Sequence, residues 1–211
     1  MSSLPPHAFR RQDEAPDTLF YRQQRLVTHI DDAAIAAVTQ LYREYLPPGG
    51  AILDLMSSWV SHLPPEGAYR MVTGLGMNAA ELAANPRLTT RVVQDLNAQP
   101  TLPFGDREFD GAGLCVSVQY LTQPVAVLRE VGRVLAPGAP LVITFSNRCF
   151  PTKAVTIWQT LDDRGHADLV RGYLRDAGNW TDIEALDRGP RPRRSDPLYA
   201  VVGRSAGPPT V

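Results

Sequence analysis

The sequence lacks the features of a secreted, metal-binding or nucleic-acid-binding protein. Its 211 residues include only two cysteines, Cys115 and Cys149, and no Cys/His cluster has the spacing of metal ligands. The formal net charge is -1, so no basic excess favours nucleic acid or an acidic membrane as a partner. These absences lead us to expect a cytoplasmic monomer or homodimer that has free thiols and binds no metal.

Long apolar runs are also missing. The longest, such as Ala139–Phe145, are far shorter than the about 20 apolar residues needed to cross a bilayer. The polar, Pro-rich start, Met1–Pro16, has no apolar segment of the kind found in signal peptides. A chain that is 44% hydrophobic can nevertheless bury one sizeable core.

Lysine is almost absent, since the chain has 20 arginines and the single lysine Lys153. An excess of arginine is typical of a GC-rich coding sequence. Where arginine is the default cation, a compact ammonium at one position indicates a geometric requirement at that position.

Strand and helix patterns alternate along most of the chain. Strands are predicted over Ala51–Leu55, Arg70–Gly74, Arg91–Asp95, Gly111–Val118 and Leu141–Phe145. Helices are predicted from Asp31–Asp32 to about Leu46, over Ala79–Ala84 after a cap at Asn78, from Pro124 to Pro137, and over Thr152–Leu161 and Ala167–Ala177. The last two segments, Trp180–Leu186 and Leu198–Val202, predict an antiparallel hairpin.

This alternation predicts one Rossmann-like α/β domain with right-handed crossovers. Its sheet has seven strands, mostly parallel, with a C-terminal antiparallel hairpin and helices on both faces. We expect the domain to span residues 18–203, with residues 18–50 as an N-terminal helical lid. Residues 1–17 and 204–211 are expected to be disordered tails.

Short motifs in the second half of the chain point to a known family. Leu102-Pro103-Phe104 is followed by Phe109-Asp110, by Leu121 and by Leu128–Ile143, which contains the sequence RVLAPG. This combination resembles the class I methyltransferases that use S-adenosylmethionine to methylate small molecules, and the resemblance covers about Ala51–Gly203. It implies S-adenosylmethionine as the cofactor, S-adenosylhomocysteine as the product, and a pocket at the carboxyl ends of the strands.

The resemblance also implies particular cofactor contacts. The end of the first strand and the turn after it would supply Asp54, Met56, Ser57, Ser58 and Trp59, and the end of the second strand would supply Gly74, Leu75, Gly76 and Asn78. The end of the third strand would supply Asp95 and Leu96, beside the adenine. The segment after the fourth strand would supply Val116, Gln119 and Tyr120, beside the reacting methyl group. Trp59 is either a pocket residue or a core aromatic.

Two positions depart from the family pattern. The glycine-rich turn after the first strand is missing, since no glycine occurs between Asp54 and Gly67. Glycine also occupies the end of the second strand, where the family has an acid that binds the ribose. Losing such a charge-assisted hydrogen bond, worth about 1.5–3 kcal/mol, predicts weaker cofactor binding unless Asn78 or Ser58 replaces it. The hydroxyls of Ser57, Ser58 and Ser61 either bind the cofactor or cap a short helix.

Two segments carry candidate acceptor-side residues. In the first, which precedes the sheet, Tyr21 is a candidate for binding substrate. His29 either removes a proton during methyl transfer or orients the start of the next helix. Tyr120, after the fourth strand, is a second catalytic candidate. In the second, after the fifth strand, Asn147, Arg148 and Lys153 either bind a carboxylate or carbonyl of the substrate or form a turn.

The function predicted is therefore methyl transfer to an unidentified small molecule. An inactive methyltransferase-like protein with a binding or regulatory role is the alternative. A weaker one is a different reaction in the same pocket that uses Ser58, His62 or the Cys149 thiol, whose pKa Arg148 would lower. Cys115 is expected to be a small core residue.

Overall fold

Seven strands form one sheet in the computed structural model, which describes residues 4–190 and 195–207. The strands are β1 (Ala51–Leu55), β2 (Met71–Gly76), β3 (Thr90–Val93), β4 (Gly111–Cys115), β5 (Pro140–Phe145), β6 (Trp180–Asp187) and β7 (Tyr199–Ser205). Their order is β3-β2-β1-β4-β5-β7-β6. The first five strands are parallel, and β7 is antiparallel to both β5 and β6. The predicted fold class is confirmed.

Six α-helices connect or precede these strands. They are α1 (Asp17–Phe20), α2 (Asp32–Tyr45), α3 (Ala79–Ala84), α4 (Pro124–Val134), α5 (Thr156–Gln159) and α6 (Asp163–Ala177). The predicted caps are present: the Asp31 carboxylate accepts from the Ala34 amide, and the Asn78 side chain accepts from the amides of Ala80 and Glu81. The helix α6 ends at Gly178, whose φ of 81° is the left-handed conformation that glycine adopts most readily.

Alternating side chains on the strands fill two apolar layers. Leu53, Leu114 and Ile143 point toward α4 and α6, whereas Ile52 and Val142 point toward α2 and α3. The parallel strands are therefore covered on both faces, as expected when crossover helices flank a parallel sheet. The edge left for a ligand is the one where the parallel strands end.

Several predicted boundaries need correction. The strand β2 continues to Gly76, and β4 ends at Cys115, after which Val118–Tyr120 forms a 3-10 helix. The helix expected over Thr152–Leu161 is reduced to α5. The end of β7 at Ser205 extends the ordered chain past residue 203, while residues 208–211 lie outside the described residues.

The expected N-terminal tail is ordered where it is described. Pro6–Phe9 forms a 3-10 helix, and Phe9 packs against the core. The Arg11 guanidinium donates to both carboxylate oxygens of Asp17 at 2.8 Å. Sequence composition alone predicts disorder here because the stabilising partners are distant in the chain.

Gly113 in β4 lets α2 approach the sheet closely. A Cβ at this position would lie 2.6 Å from the hydroxyl oxygen of Tyr42, whose ring is fully buried. We therefore expect Gly113→Ala to lower the free energy of unfolding by about 1–3 kcal/mol, because the fully packed core has to shift. Urea denaturation measures this change.

The control is Gly172→Ala in α6, where an added Cβ meets no atom within 4 Å. This substitution should raise the free energy of unfolding by about 0.5–1 kcal/mol because alanine favours helix over glycine. If both substitutions changed the free energy of unfolding by the same amount, the close approach of Tyr42 to Gly113 would be contradicted.

Candidate functional site

A cavity of about 1200 Å³, counting its open mouth, lies at the carboxyl ends of β1, β2, β3 and β4. The N-terminal segment, defined here as residues 17–30, covers it. The predicted site residues that line it are Tyr21, His29, Asp54, Met56, Ser57, Ser58, Trp59, Leu75, Gly76, Asn78, Asp95, Leu96, Val116 and Tyr120. This is the position at which open parallel sheets bind ligands.

The post-β1 segment, Met56–Pro65, contains no helix and runs across the end of β2. The Ser57 amide donates to the Leu75 carbonyl at 2.8 Å. The buried Asn85 side chain then donates to the Ser58 carbonyl and to the Ser61 hydroxyl, both at 2.9 Å. The segment is thus held by hydrogen bonds to β2 and to the residue after α3, and the alternative in which the serines cap a short helix does not hold.

The crossing explains why Gly76 cannot carry a side chain. A Cβ on Gly76 would clash with the carbonyl oxygen of Ser57, a backbone atom with little freedom to move. Gly74, the other glycine of the predicted cofactor contacts, does not line the cavity, and a Cβ there would meet the side chain of Leu88 in the core. The main chain of the post-β1 segment therefore occupies the space that a side chain at Gly76 would need.

The Asp54 carboxylate is buried at the end of β1 and lines the cavity. Its Oδ2 accepts from the hydroxyls of Ser57 and Ser61, both at 2.6 Å. Burial raises the pKa of Asp54 to about 6, against the opposing effect of the two hydroxyls. Within residues 4–190 and 195–207, no lysine, arginine or histidine forms an ion pair with this carboxylate.

Strained backbone is concentrated around the same carboxylate. Met56, His62 and Val116 have φ values of 54°, 51° and 42°, and all three line the cavity. A β-branched residue such as Val116 rarely adopts this conformation. Such strain persists only where the surrounding structure enforces it, as at ligand sites.

Glu81 is a site residue that the sequence analysis missed. It lines the cavity from the first turn of α3, where Oε1 accepts from the Arg25 amide at 2.7 Å and Oε2 from the Ser58 hydroxyl at 2.6 Å. Its position three residues after the cap Asn78 is one where capping carboxylates are common, which is the only sequence signal for it. Glu81 links the N-terminal segment to the post-β1 segment.

Four rings that line the cavity form what we call the aromatic wall: Tyr21, His29, Tyr120 and Phe150. The Phe150 centroid lies 5.1 Å from that of His29 and 5.9 Å from that of Tyr120. The Tyr120 hydroxyl accepts from the Phe150 amide at 2.9 Å. Phe150 is a second residue that sequence reasoning missed, because nothing in its local pattern distinguishes it from a core aromatic.

The ionisable rings of this wall favour their neutral forms. Burial raises the pKa of Tyr120 to about 12, and it raises the pKa of Tyr21 still further. Partial burial, together with the charge of Arg25, lowers the pKa of His29, and Glu81 opposes this shift. His29 lies at the exposed rim of the cavity as a neutral imidazole able to accept a proton.

Lys153 is fully buried in an anchor cluster with Arg11, Asp13, Asp17 and Asn97. Its ammonium lies 3.1 Å from the Asp13 carboxylate and 3.2 Å from that of Asp17, and it donates to the Ala15 carbonyl at 2.8 Å. The amide of Asn97 donates to Asp17 at 2.8 Å. Burial alone would raise the pKa of Asp17, but the hydrogen bonds from Arg11 and Asn97 outweigh it and lower the pKa.

The remaining predicted site residues lie outside the cavity. Lys153 holds the start of the N-terminal segment and does not reach substrate. Asn147 and Arg148 are exposed, and Arg148 lies 3.6 Å from Asp196. Gln119 is buried, and its amide donates to the Val116 carbonyl at 2.9 Å.

The cysteine thiols are not activated. Burial raises the pKa of Cys149, opposite to the lowering considered for a nucleophile next to Arg148, and the residue does not line the cavity. Cys115 does line it, and burial raises the pKa of that thiol to about 12. In the part of the chain that is described, no group of three His, Cys, Asp or Glu residues could hold a metal, and no helix is long and apolar enough to cross a membrane.

The buried position of Lys153 predicts a structural effect of its removal. We expect Lys153→Met to lower the free energy of unfolding by about 3 kcal/mol, because Asp13 and the buried Asp17 lose their shared cation. Amide hydrogen exchange should also quicken in the N-terminal segment. Arg148→Met is the matched control, and its exposed ion pair should contribute less than about 1 kcal/mol. A neutral effect of Lys153→Met would contradict the anchor.

The crossing of β2 predicts that an acid at the family position is not tolerated. Gly76→Asp should lower the free energy of unfolding by about 2 kcal/mol or more, since the clash involves backbone. Gly172→Asp, which adds the same side chain in open space, should change it by less than about 1 kcal/mol. If Gly76→Asp were neutral in urea denaturation, the close contact with Ser57 would be wrong.

Comparison with known proteins agrees with this geometry. Residues 57–143 match the family model described as a methyltransferase domain. The match begins after β1 and ends within β5, so it includes the ends of β2, β3 and β4 that line the cavity. No curated protein matches the chain in sequence.

Solved structures share the fold over most of the chain. A protein from Pyrococcus horikoshii OT3 has a TM-score of 0.62 at 16% identity, with 89% of this chain and 98% of that one covered. The cyclase SpnF has a TM-score of 0.60 at 17% identity, covering 88% and 89%. An S-adenosylmethionine-dependent methyltransferase from Mesorhizobium loti has 0.56 at 18%, covering 80% and 97%. Residues 57–143 thus match a methyltransferase-domain family model, and the chain shares its fold with solved structures that include an S-adenosylmethionine-dependent methyltransferase.

Proposed function

We propose that the chain transfers a methyl group from S-adenosylmethionine to a small-molecule acceptor. The observation that carries this proposal is the buried Asp54 carboxylate, which lines the cavity and has no cationic partner among the described residues. A buried carboxylate of this kind is stabilised by a cationic ligand. S-adenosylmethionine carries both an ammonium and a sulfonium group, so the residues present fit it.

The remaining cofactor contacts are proposed in the order in which the ends of β1, β2 and β3 line the cavity. Asp54 and Ser57 hold the methionine end, beside the strained Met56 and Val116. Asn78 and Glu81 border the ribose, since the position of the usual acid is filled by the Ser57 carbonyl. The adenine lies by Asp95 and Leu96, and Trp59 covers the mouth through a hydrogen bond from its indole nitrogen to the Val27 carbonyl at 3.1 Å.

When bound, the cofactor would supply a methyl group on positively charged sulfur for in-line transfer to a nucleophile, with the neutral thioether as the leaving group. The chain contributes mainly position: the aromatic wall holds the acceptor and the N-terminal segment excludes water. His29 accepts the proton of the acceptor, because its pKa is below the ordinary value and the imidazole is neutral near pH 7. Tyr120 stays protonated and is a hydrogen-bond donor at the site.

The experiment that tests the proposal is calorimetric titration of the purified chain with S-adenosylmethionine and S-adenosylhomocysteine at pH 7.5. Dissociation constants in the micromolar range, about 1–100 μM, support the cofactor assignment. Absence of binding at millimolar cofactor, for a sample that unfolds cooperatively, would overturn it.

Asp54→Asn should separate stability from binding. The pKa of Asp54 is about 6 in the folded chain against the ordinary value of 3.8, so the stability from this group is present below pH 4 and is lost as the pH rises through 6. At pH 8 the variant should therefore be more stable than the wild type, by about 2–3 kcal/mol, in urea denaturation. The gain should disappear toward pH 4.

The same variant should bind S-adenosylhomocysteine at least about 10-fold more weakly at pH 8, since a charge-assisted contact is lost. Asp182→Asn is the control, because this residue is exposed and its φ of 49° suits asparagine. If Asp54→Asn is destabilised at pH 8 and binds S-adenosylhomocysteine as tightly as the wild type does, the proposed role of Asp54 is contradicted.

A further inference from the structure

The acceptor side of the cavity, defined as the aromatic wall together with Ser117, carries no charged side chain near neutral pH. The charged residues that line the cavity are Asp17, Arg25, Asp54, Glu81 and Asp95. Asp54 and Asp95 follow the ends of β1 and β3, and Glu81 lies in the first turn of α3, all on the cofactor side. Asp17 is already neutralised by Arg11 and Lys153.

Arg25 is the only cation that lines the cavity among the described residues, and its charge is already engaged. The guanidinium donates to the Phe20 carbonyl at 2.9 Å and lies 4.6 Å from the centre of the Phe20 ring and 5.5 Å from that of Phe150. Such cation–π contacts satisfy a guanidinium on the face of the rings. A carboxylate or phosphate on the acceptor would have to draw Arg25 away from these contacts, and would otherwise be desolvated against rings and carboxylates.

Ser117 adds a polar group to this apolar surface. The residue follows β4, is 8% exposed and lines the cavity. Its Oγ is buried and has no hydrogen-bond partner within the described ranges of the chain. Buried hydroxyls are almost always paired, so an unpaired one at a cavity indicates a ligand group that bonds to it.

We propose that the acceptor is an uncharged aromatic alcohol of the phenol class, held against Phe150 and Tyr120, with its hydroxyl bonded to Ser117. This assignment rests on the proposed function and specifies its substrate. In this arrangement the reactive hydroxyl lies between Ser117 and His29, which both line the cavity. Flat rings suit the wall because offset and edge-to-face aromatic contacts add to the burial of apolar area.

The transfer balances without any further reactant. The new bond forms between the phenol oxygen and the methyl carbon as the carbon–sulfur bond breaks, and the sulfur keeps the electron pair of that bond. The hydroxyl proton passes to the imidazole of His29 and from there to solvent. The products are the aryl methyl ether and S-adenosylhomocysteine.

The test is a set of ligand-observed NMR titrations with p-cresol, 4-hydroxybenzoate and 4-methylanisole. The second probe exchanges the methyl group of p-cresol for a carboxylate, and the third replaces its hydroxyl by a methyl ether. With saturating S-adenosylhomocysteine, p-cresol should bind at least about 10-fold more tightly than 4-hydroxybenzoate, because the carboxylate finds no partner. Equal or tighter binding of the carboxylate would overturn the assignment.

Ser117→Ala distinguishes a ligand contact from a structural role. The variant should bind p-cresol about 5-fold more weakly and 4-methylanisole within about 2-fold of the wild type, because the phenol oxygen accepts from the Ser117 hydroxyl whereas the methylated oxygen is a weaker and more hindered acceptor. Thr160→Val is the control, since its hydroxyl is exposed and bonds only to the Ile157 carbonyl. Equal weakening of both probes, or of neither, would contradict the role of Ser117.

Failure of this inference and failure of the proposed function give different results. Titration with S-adenosylhomocysteine alone decides whether the cofactor binds, and the three probes are also titrated without it. Cofactor binding with no preference for p-cresol overturns the acceptor class and leaves methyl transfer intact. A preference for p-cresol that Ser117→Ala abolishes, without cofactor binding, supports the aromatic site and overturns methyl transfer.

Discussion

The Asp54 carboxylate, buried at the end of β1 with no cationic partner in the described part of the chain, is the constraint on which the rest of the site depends. Its hydrogen-bond donors among residues 4–190 and 195–207 are two serines of the post-β1 segment, Ser57 and Ser61, which hold that segment against the sheet. Asn85 fixes it further by bonding to the Ser58 carbonyl and the Ser61 hydroxyl. The chain therefore crosses β2 directly, and Gly76 is required at the crossing. One buried charge thus accounts for both departures from the family pattern.

The second constraint is the anchoring of the N-terminal segment at both ends of the cavity. At its start, Lys153 and Arg11 hold Asp17, and Asn97 connects this cluster to the loop after β3. Farther along, the Arg25 amide donates to Glu81, beside the cofactor side of the cavity. The aromatic wall consequently combines rings from three distant parts of the chain. The positions of those rings follow from the anchors, since exposed side chains such as Leu26 and Val27 contribute little packing.

The sequence predicted the fold well because the signals for it are local. Alternating apolar residues, the Asn78 and Asp31 caps and the proline-glycine stop after α4 each depend on neighbours within a few residues. The sequence also indicated that the position of its single lysine has a geometric requirement. Its role was not indicated, because the partners of Lys153 lie in residues 11–17, a stretch whose composition predicts disorder.

The candidate site was predicted only in part, for the same reason. Strand ends are readable, so Asp54, Asp95 and Tyr120 were found, whereas Glu81, Ser117 and Phe150 reach the cavity through contacts that no local pattern encodes. Residues near a strand end need not face the ligand either. Arg148 points to solvent while Phe150, two positions later, reaches the cavity.

The central claim is that a cationic ligand completes the environment of Asp54, and proton release on binding tests it most directly. S-adenosylmethionine is titrated calorimetrically at pH 6 in two buffers with different enthalpies of ionisation. Because the pKa of Asp54 is about 6 in the free chain, binding should release about half a proton in the wild type and none from this group in Asp54→Asn. Binding by the wild type without proton release, or with proton uptake, would contradict the account.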